Sequence, residues 1–561
     1  MRPGASPPFL GWVFQPRDLR QPVAEMARAT GTVALFDLSR TSPGIHAGAC
    51  GALKVRQVLI SPEAFLAEEL EEFIRVSGVD ALWVEYHPAL IPGGVSRFLS
   101  RARSLADRCR VVPVTGDLEF LLSPHLTGEA CEIVALKGSE AAGLGSPETL
   151  GLLYALLEEH FAGRPQAPGL VLYGGLATPE AAAAFFLTGA RGLIFESLHW
   201  QTDLVTATEE TKSRLARLTP EDTTVVGGLL GAPLRVFDRG NSLAVRELRE
   251  LAGTLSGEDS PPEGARRFLL AARERAVHPL ESTLGREELV FLGPEAALAE
   301  SFARRYGRNT HKAIVAFQAE IQRLLNRGDE VRGQFLDSPA ARDLGVKYPF
   351  IQGAMTWISD VPAFAREVAA AGALPTLALG LRTREDLRRE WGDLHHLLAG
   401  RPYAVNVLAL PENPHLEEQL AWVAENRPPL TVIAAGDPGV AQRLLGQNLR
   451  VMYIAPTTGL LRLALEMGVP WVALEGREAG GHVAAHSTLT LAQLALDLKR
   501  REPWLFHHRR LVLAGGSVAE LDERIEQSRR GRPLWPYLLA VVLIVLAIEA
   551  KIGRASCRER V

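Results

Sequence analysis

Short, unbroken apolar runs alternate with amphipathic segments along most of the chain. In the first half the runs are GWVF (11–14), VALFDL (33–38), VRQVLI (55–60), ALWVEY (81–86), VVPVTG (111–116), IVALKG (133–138), LVLYGG (170–175) and GLIFES (192–197). They are continuous rather than alternating, which predicts parallel strands covered on both faces. Helical segments fall between them, for example 147–160 and 179–187. Eight strand–helix pairs predict a (β/α)8 barrel. The alternative is an open doubly wound sheet. The count of eight disfavours it, as does the lack of a G-x-G-x-x-G turn after the first run.

The pattern recurs. PVAEMARATGTVALFDL (22–38) parallels PAFAREVAAAGALPTLALG (362–380), IVALKGSEAAGLGS (133–146) parallels WVALEGREAGGHVA (471–484), and LVLYGG (170–175) parallels LVLAGG (511–516). Three ordered matches at similar spacing read as two copies of one unit. The second copy supplies PFIQGA (349–354), PTLALG (375–380), YAVNVLAL (403–410), TVIAAGD (431–437), VMYIAPT (451–457), WVALEG (471–476) and LVLAGG (511–516), seven strands with no eighth resembling GLIFES. The expected fold is therefore α/β, two tandem TIM-type barrels, the second incomplete at its C-terminal end. The expected divisions are a first barrel over 1–275, a connector of amphipathic helices over 276–345 and a second barrel over 346–516.

Composition fits a folded, globular chain: 47% of the 561 residues are apolar and 22% charged. A net charge of −4 without a long basic run argues against nucleic acid as a partner. Cys50, Cys109, Cys131 and Cys557 form no C-x-x-C pair, which points to a reducing compartment such as the cytoplasm and to no metal site of the zinc-ribbon kind. The end of the chain departs from this picture. Residues 517–534 are highly charged, and Trp535–Ile548 is an apolar run shorter than the roughly twenty residues a membrane span needs. The closing IGRASCRERV reads as the translation of a sequencing-adapter oligonucleotide. On that reading 552–561 are an artefact, 517–551 are of doubtful origin, and a membrane anchor is not expected.

In a barrel of this type chemistry sits at the C-terminal ends of the strands. In the second copy those ends carry Gln352-Gly353-Ala354-Met355, the polar Asn406 inside AVNVLAL, the turn Glu475 to His482, and Gly515-Gly516. Small residues let a planar ligand approach the backbone, and a Gly pair after strand seven leaves N–H groups free to hold a phosphate.

The set IQGAM (351–355), VN (405–406), EGREAGGH (475–482) and AGG (514–516) resembles the nitronate monooxygenase (2-nitropropane dioxygenase-like) family, which includes flavin-dependent enoyl reductases of fatty-acid and polyketide synthesis. The resemblance covers residues 345–516 and implies a barrel holding FMN, with NAD(P)H a candidate electron donor. It implies that Gly353, Ala354 and Met355 line the isoalloxazine ring. Asn406, Glu475, Gly476, Gly480 and Gly481 would hold the flavin, Gly515 and Gly516 its phosphate, and His482 would be the catalytic histidine. A group titrating near neutrality beside the flavin suits proton transfer at carbon, whether from a nitroalkane or to the α-carbon of an enoyl thioester. Within the same turn, Arg477 and Glu478 read as a structural ion pair and His486 as a surface residue.

The first copy departs from the motif. Lys137 stands at Glu475, Glu140 at Glu478, and Leu144 at the histidine position. Its back end is better kept, and there Gly174, Gly175, Gly192 and Ser197 retain the form of a phosphate site. Glu85, His87, Lys137 and Glu196 fall near strand ends, each read singly as a solvated loop residue. The leading expectation is an FMN-dependent oxidoreductase acting on a small molecule or acyl thioester. As a fragment of a multidomain synthase it would meet other synthase domains. Two other classes stay open: a non-catalytic barrel scaffold, and a phosphate-binding aldolase- or isomerase-like barrel.

Overall fold

The computed structural model describes residues 8–257, 261–328, 338–356, 359–380, 382–479 and 484–516. The chain divides into two compact units, Met1–Leu325 and Asn326–Val561.

In the first unit every predicted run becomes a strand: β1 (Phe9–Phe14), β2 (Val33–Asp37), β3 (Gln57–Ile60), β4 (Ala81–Glu85), β5 (Arg110–Thr115), β6 (Ile133–Leu136), β7 (Gly169–Tyr173) and β8 (Gly192–Phe195). They pair in parallel and in sequence order, and β8 returns to β1 through Phe9↔Gly192 to Trp12↔Phe195, closing the barrel. The interior is filled by inward side chains, among them Leu35, Trp83, Val114, Val171, Tyr173 and Ile194. Such filling makes a packed core rather than a pore.

Residues 299–306 and 310–325, predicted as a connector, are helices of this unit. The reason is Trp12. It faces outward from β1, stacks on Phe195 at 4.7 Å between ring centroids, and is covered by Phe302 (5.9 Å) and Phe317 (6.1 Å) from those helices. Trp12 is fully buried there. The helix Thr310–Leu325 also packs on Pro179–Thr188 and Gln21–Thr30. The compact unit thus runs to Leu325, not to residue 275.

A second layer was not foreseen. Strands Thr223–Val226, Leu234–Phe237 and Gly143–Leu144 form a small antiparallel sheet. With helices Leu243–Leu255 and Pro261–Arg275 it builds a separate apolar cluster that includes Val226, Leu234, Val236, Leu248, Phe268 and Leu269. Leu144, at the position where the repeat would put a histidine, is buried in that cluster.

The second unit carries a parallel sheet in sequence order: β9 (Thr376–Ala378), β10 (Ala404–Leu408), β11 (Leu430–Ala434), β12 (Val451–Ala455), β13 (Trp471–Ala479) and β14 (Arg510–Gly516). These are the second to seventh strands of the repeat. The predicted first strand, PFIQGA, is reduced to a single bridge, Ile351↔Leu374, beside β9. Among the described residues no eighth strand follows β14. One face of the sheet packs on helices through Leu377, Val405, Ile433, Tyr453, Val472 and Leu474. The other holds Leu374, Ala404, Val432, Met452, Trp471 and Ala473, the inner face of a barrel wall. The apolar run 535–548 lies outside the described residues, and among those described no helix is long and apolar enough to cross a membrane.

Candidate functional site

The loop after the sixth strand of each unit has the same build. In the first unit Glu140 Oε2 accepts the Leu150 N–H at 2.8 Å, and the Ser139 N–H donates to the Glu148 carbonyl at 2.8 Å. In the second, Glu478 Oε2 accepts the Thr488 N–H at 2.8 Å, and the Arg477 N–H donates to the His486 carbonyl at 2.9 Å. Each carboxylate therefore satisfies an otherwise orphan donor at the start of the helix ten residues on, Leu150–Phe161 or Thr488–Arg501. The glycine two positions earlier is sterically required. A Cβ on Gly138 would lie 2.4 Å from the Leu150 nitrogen, and one on Gly476 2.0 Å from the Thr488 nitrogen.

This geometry reassigns part of the EGREAGGH motif. Gly476, expected to hold flavin, lets a helix start approach the strand, and its N–H is already bonded to Thr488 Oγ1 at 3.0 Å. Glu478 caps that helix rather than serving as the expected partner of Arg477. His486, expected at the surface, is 3% exposed.

The residues on the inner face of the strand ends then differ between the units. In the first, Lys137 is buried, with Nζ 3.6 Å from Glu85 Oε1, 3.9 Å from Glu196 Oε1, 2.9 Å from the Ala142 carbonyl it donates to, and 5.3 Å from the Tyr173 ring centroid. Arg273 pairs with the other Glu85 oxygen. Burial by itself would raise the Glu85 carboxyl, but the charges of Arg273 and Lys137 outweigh it and hold the group below its ordinary value. For Glu196 burial prevails and the pKa is raised, as it is for Asp37 on β2. Glu85, Lys137 and Glu196 are thus a buried ion cluster, not solvated loop residues. His87 is likewise buried: its Nδ1 accepts the Ala89 N–H at 3.2 Å, so Nε2 carries the proton toward the Gly231 carbonyl at 3.0 Å. Burial lowers its pKa. A cavity of about 190 Å³ remains, lined in part by Glu85, His87, Asp117, Leu144 and Gly231. Ligand pockets for drug-sized molecules occupy about 300–1,000 Å³.

The expected phosphate turn of this unit already has an occupant. Glu295 Oε2 accepts the Gly175 N–H at 3.1 Å, and Oε1 accepts the Ser197 and Leu198 N–H groups, both at 2.9 Å. Gly174 and Gly175 hold φ of +74° and +77°, and a Cβ on Gly175 would meet Glu140 Cβ at 2.6 Å. Gly175, expected to hold a cofactor phosphate, holds a side chain of its own chain, and the Gly174 N–H donates to the Ile194 carbonyl at 2.9 Å. Burial and the nearby charge of Glu196 push the Glu295 carboxyl up to about 8, against the pull of its N–H donors.

In the second unit the corresponding face is sparsely filled. Glu475 replaces the lysine. Among the described residues no hydrogen bond or ion pair reaches its carboxylate, and burial pushes its pKa up to about 7. Thr376 is 2% exposed, and among the described residues its hydroxyl has no partner. Asn406 is buried and donates from Nδ2 to the Val432 carbonyl at 3.3 Å. Beside β9, Met355 is not available through its backbone, because its N–H donates to Ser359 Oγ at 2.7 Å and its carbonyl accepts the Ser359 N–H at 2.8 Å. Gly353 is exposed with nothing within 4 Å of a Cβ, and Ala354 is half-buried. Gln352 anchors this stretch by accepting the Thr376 N–H at 3.1 Å. Gly515 is exposed next to the Thr488 Oγ1 to Ala514 carbonyl bond of 2.6 Å, and Gly516 ends β14. Gly480, Gly481 and His482 lie outside the described residues.

Asp37, Arg235, Arg273, Glu295 and Thr376 carried no signal that sequence reasoning used. Glu295 sits in LGPEAAL, an ordinary helix start, and its three donors are 97 to 120 residues away. Arg235 is fully covered and reaches the Ser139 carbonyl from a strand that was not predicted.

Strand order and inner-face packing make this chain a TIM-type α/β protein with two barrel units in tandem. No family model and no curated protein matches it. Among solved structures it is similar to FabK from Thermotoga maritima, at 18% identity and a TM-score of 0.42, over 57% of this chain and 94% of that one. It is similar to the enoyl reductase domain of MlnA from the macrolactin cluster of Bacillus amyloliquefaciens, at 13% identity and 0.42, over 59% and 97%. It is also similar to nitroalkane oxidase from Streptomyces ansochromogenes, at 15% identity and 0.37, over 56% and 96%.

Proposed function

We propose that the second unit is the seat of an FMN-dependent oxidation–reduction and that the first is a barrel whose mouth is closed by its own side chains. The observation that carries this reading is the contrast in the inner rim. The first unit spends its rim on a lysine, two glutamates and an arginine bonded to one another. The second leaves a carboxyl with a pKa near 7, a buried hydroxyl without a partner and an open Gly353.

The residues present fit a planar heteroaromatic cofactor. Gly353 has open space at its Cα although its carbonyl accepts the Gln352 side-chain N–H, and the Thr376 hydroxyl and Asn406 offer polar contacts on the same wall. Bound there, a flavin would supply the two-electron step, which no side chain of this chain can provide. The chain's own part is acid–base. Glu475, poised near neutrality, is able to take or give a proton at the substrate carbon, a role it would share with His482. Gly515 and Gly516 would hold the phosphate end.

The substrate is a nitronate or nitroalkane in the leading reading and an enoyl thioester in the second, with NAD(P)H as donor in the latter. Purified protein should carry an absorbance band near 450 nm and consume oxygen with a nitronate. Reduction by NADPH and reoxidation by a crotonyl thioester would instead select the reductase. Colourless protein that takes up no added FMN would favour the scaffold reading over a flavoenzyme.

A further inference from the structure

We propose that the docking of the 294–325 extension on the first barrel is gated by protons, with His199 releasing it in acid and Glu295 in alkali. The extension is the turn Pro294–Leu298 with the helices Ala299–Tyr306 and Thr310–Leu325. It seats on the turn after β8. His199 in that turn is 1% exposed, and its ring stands edge-on to Phe14 at 4.7 Å and to Trp12 at 5.5 Å between centroids. Trp12 is the indole that Phe302 and Phe317 of the extension cover. Among the described residues, neither ring nitrogen of His199 makes a hydrogen bond of normal geometry. On one side of it in the chain, the Ser197 and Leu198 N–H groups donate to Glu295. On the other, Thr202 Oγ1 donates to the His199 carbonyl and accepts the Thr310 hydroxyl, both at 2.8 Å. Asp203 accepts the Thr310 N–H and the Asn309 side-chain N–H, both at 2.9 Å. The ring without a partner thus lies between the two anchors of the extension.

The charged groups of the neighbouring segments are Asp18 after β1, Asp203 and Lys212 beyond the turn, and Glu295, Glu300 and Arg308 on the extension. Asp18 is bonded to the Thr206 N–H, Lys212 to the Thr202 carbonyl, and Arg308 to Glu300. None of them acts on the imidazole. Burial pushes it from an ordinary 6.5 down to about 3, opposed by the Val13 backbone alone. Once the extension lifts, the ring meets water and regains its ordinary basicity. Below pH 6.5 the opened form takes a proton that the docked form refuses, so opening rises about 10-fold per pH unit. Glu295 acts in the opposite sense. Burial and the charge of Glu196 keep its carboxyl protonated up to about 8 when docked, against an ordinary 4.5. Its opened form therefore loses a proton above pH 4.5, and opening rises about 10-fold per unit from there to 8. The two slopes cancel between 4.5 and 6.5, where the clamp is tightest, and docking weakens on either side.

The test follows amide hydrogen exchange of the two helices in the full chain, corrected for the intrinsic effect of pH. Glu295→Gln keeps an oxygen for Ser197 and Leu198 and removes the alkaline slope. Its helices should open about 10-fold more at pH 5 than at pH 6. His199→Phe fills the ring's space without a titrating group, and alone it should open about 10-fold less over the same step. The double variant should change by less than about 2-fold. The proposal is overturned by a Glu295→Gln opening that does not rise in acid, by a His199→Phe opening that does not fall, or by a double variant that follows either single one. Where the variants do not fold, the wild type carries the readout. Exchange of the His199 C2 hydrogen should then titrate below pH 5, and a midpoint near 6.5 overturns the proposal.

Discussion

The two loops after the sixth strands are built alike and lead to opposite rims. Gly138 and Glu140 in one unit, and Gly476 and Glu478 in the other, clamp the next helix in the same way. One residue before each glycine, the inner face carries Lys137 in the first unit and Glu475 in the second. The lysine joins Glu85 and Glu196 in a buried ion cluster, whereas among the described residues the glutamate has no partner, and burial pushes it toward neutrality. The comparison separates two properties that the shared motif merges. The glycine and the second glutamate build the wall, and the residue before the glycine sets the charge of its inner face.

The comparison breaks most readily at Lys137. Lys137→Met leaves Glu85 and Glu196 with less compensation in a buried site, and should cost about 3–5 kcal/mol in denaturant unfolding of the first unit. A neutral effect would mean that the rim is not held by its ion cluster. Next come the paired glycines. Gly138→Ala and Gly476→Ala should each destabilise their own unit by roughly 1–3 kcal/mol, since the helix start must move. Unequal costs would show that the two clamps are not equivalent. Glu140→Gln and Glu478→Gln weaken the charge-assisted bond to a helix start and should cost about 1 kcal/mol each.

A pH dependence of comparable size completes the series. Glu475 titrates at about 7 in the folded chain against an ordinary 4.5, so the folded state binds its proton more tightly. Its contribution favours folding at low pH and is lost as pH rises across that window. Glu475→Gln should flatten the difference in stability between pH 5 and 8 by roughly 1–2 kcal/mol, allowing for its partial exposure. An unchanged pH profile would remove Glu475 as a group poised for proton transfer.

The barrel itself was legible because each strand run is local and the repeat supplies a second reading of it. All eight strands of the first unit fall where the apolar runs are, and six of the seven in the second. The exception, 349–354, makes a single bridge, Ile351↔Leu374, rather than a ladder. The antiparallel sheet at 143–144, 223–226 and 234–237 was not legible, because its short strands lack a distinctive period and join segments some ninety residues apart. Among site residues, Gly476 and Glu478 were recognised as important but for ligand binding and ion pairing, since spacing alone does not distinguish a turn that touches a ligand from one that touches the next helix. Lys137, Glu85 and Glu196 could be placed near strand ends, yet their burial depends on one another and on Arg273. Glu295 was out of reach, because nothing near it in the chain records what it binds.

The outward-facing Trp12 fixes where the first unit can be cut. Production of residues 1–275 alone would strip Phe302 and Phe317 from the indole and from Phe195, leaving an aromatic patch on the outer wall exposed to water. Such a patch favours self-association over a monodisperse barrel. A fragment ending at Leu325 keeps its aromatic cover and the Glu295 plug together, and is the shorter piece of this chain with a reason to stay in solution.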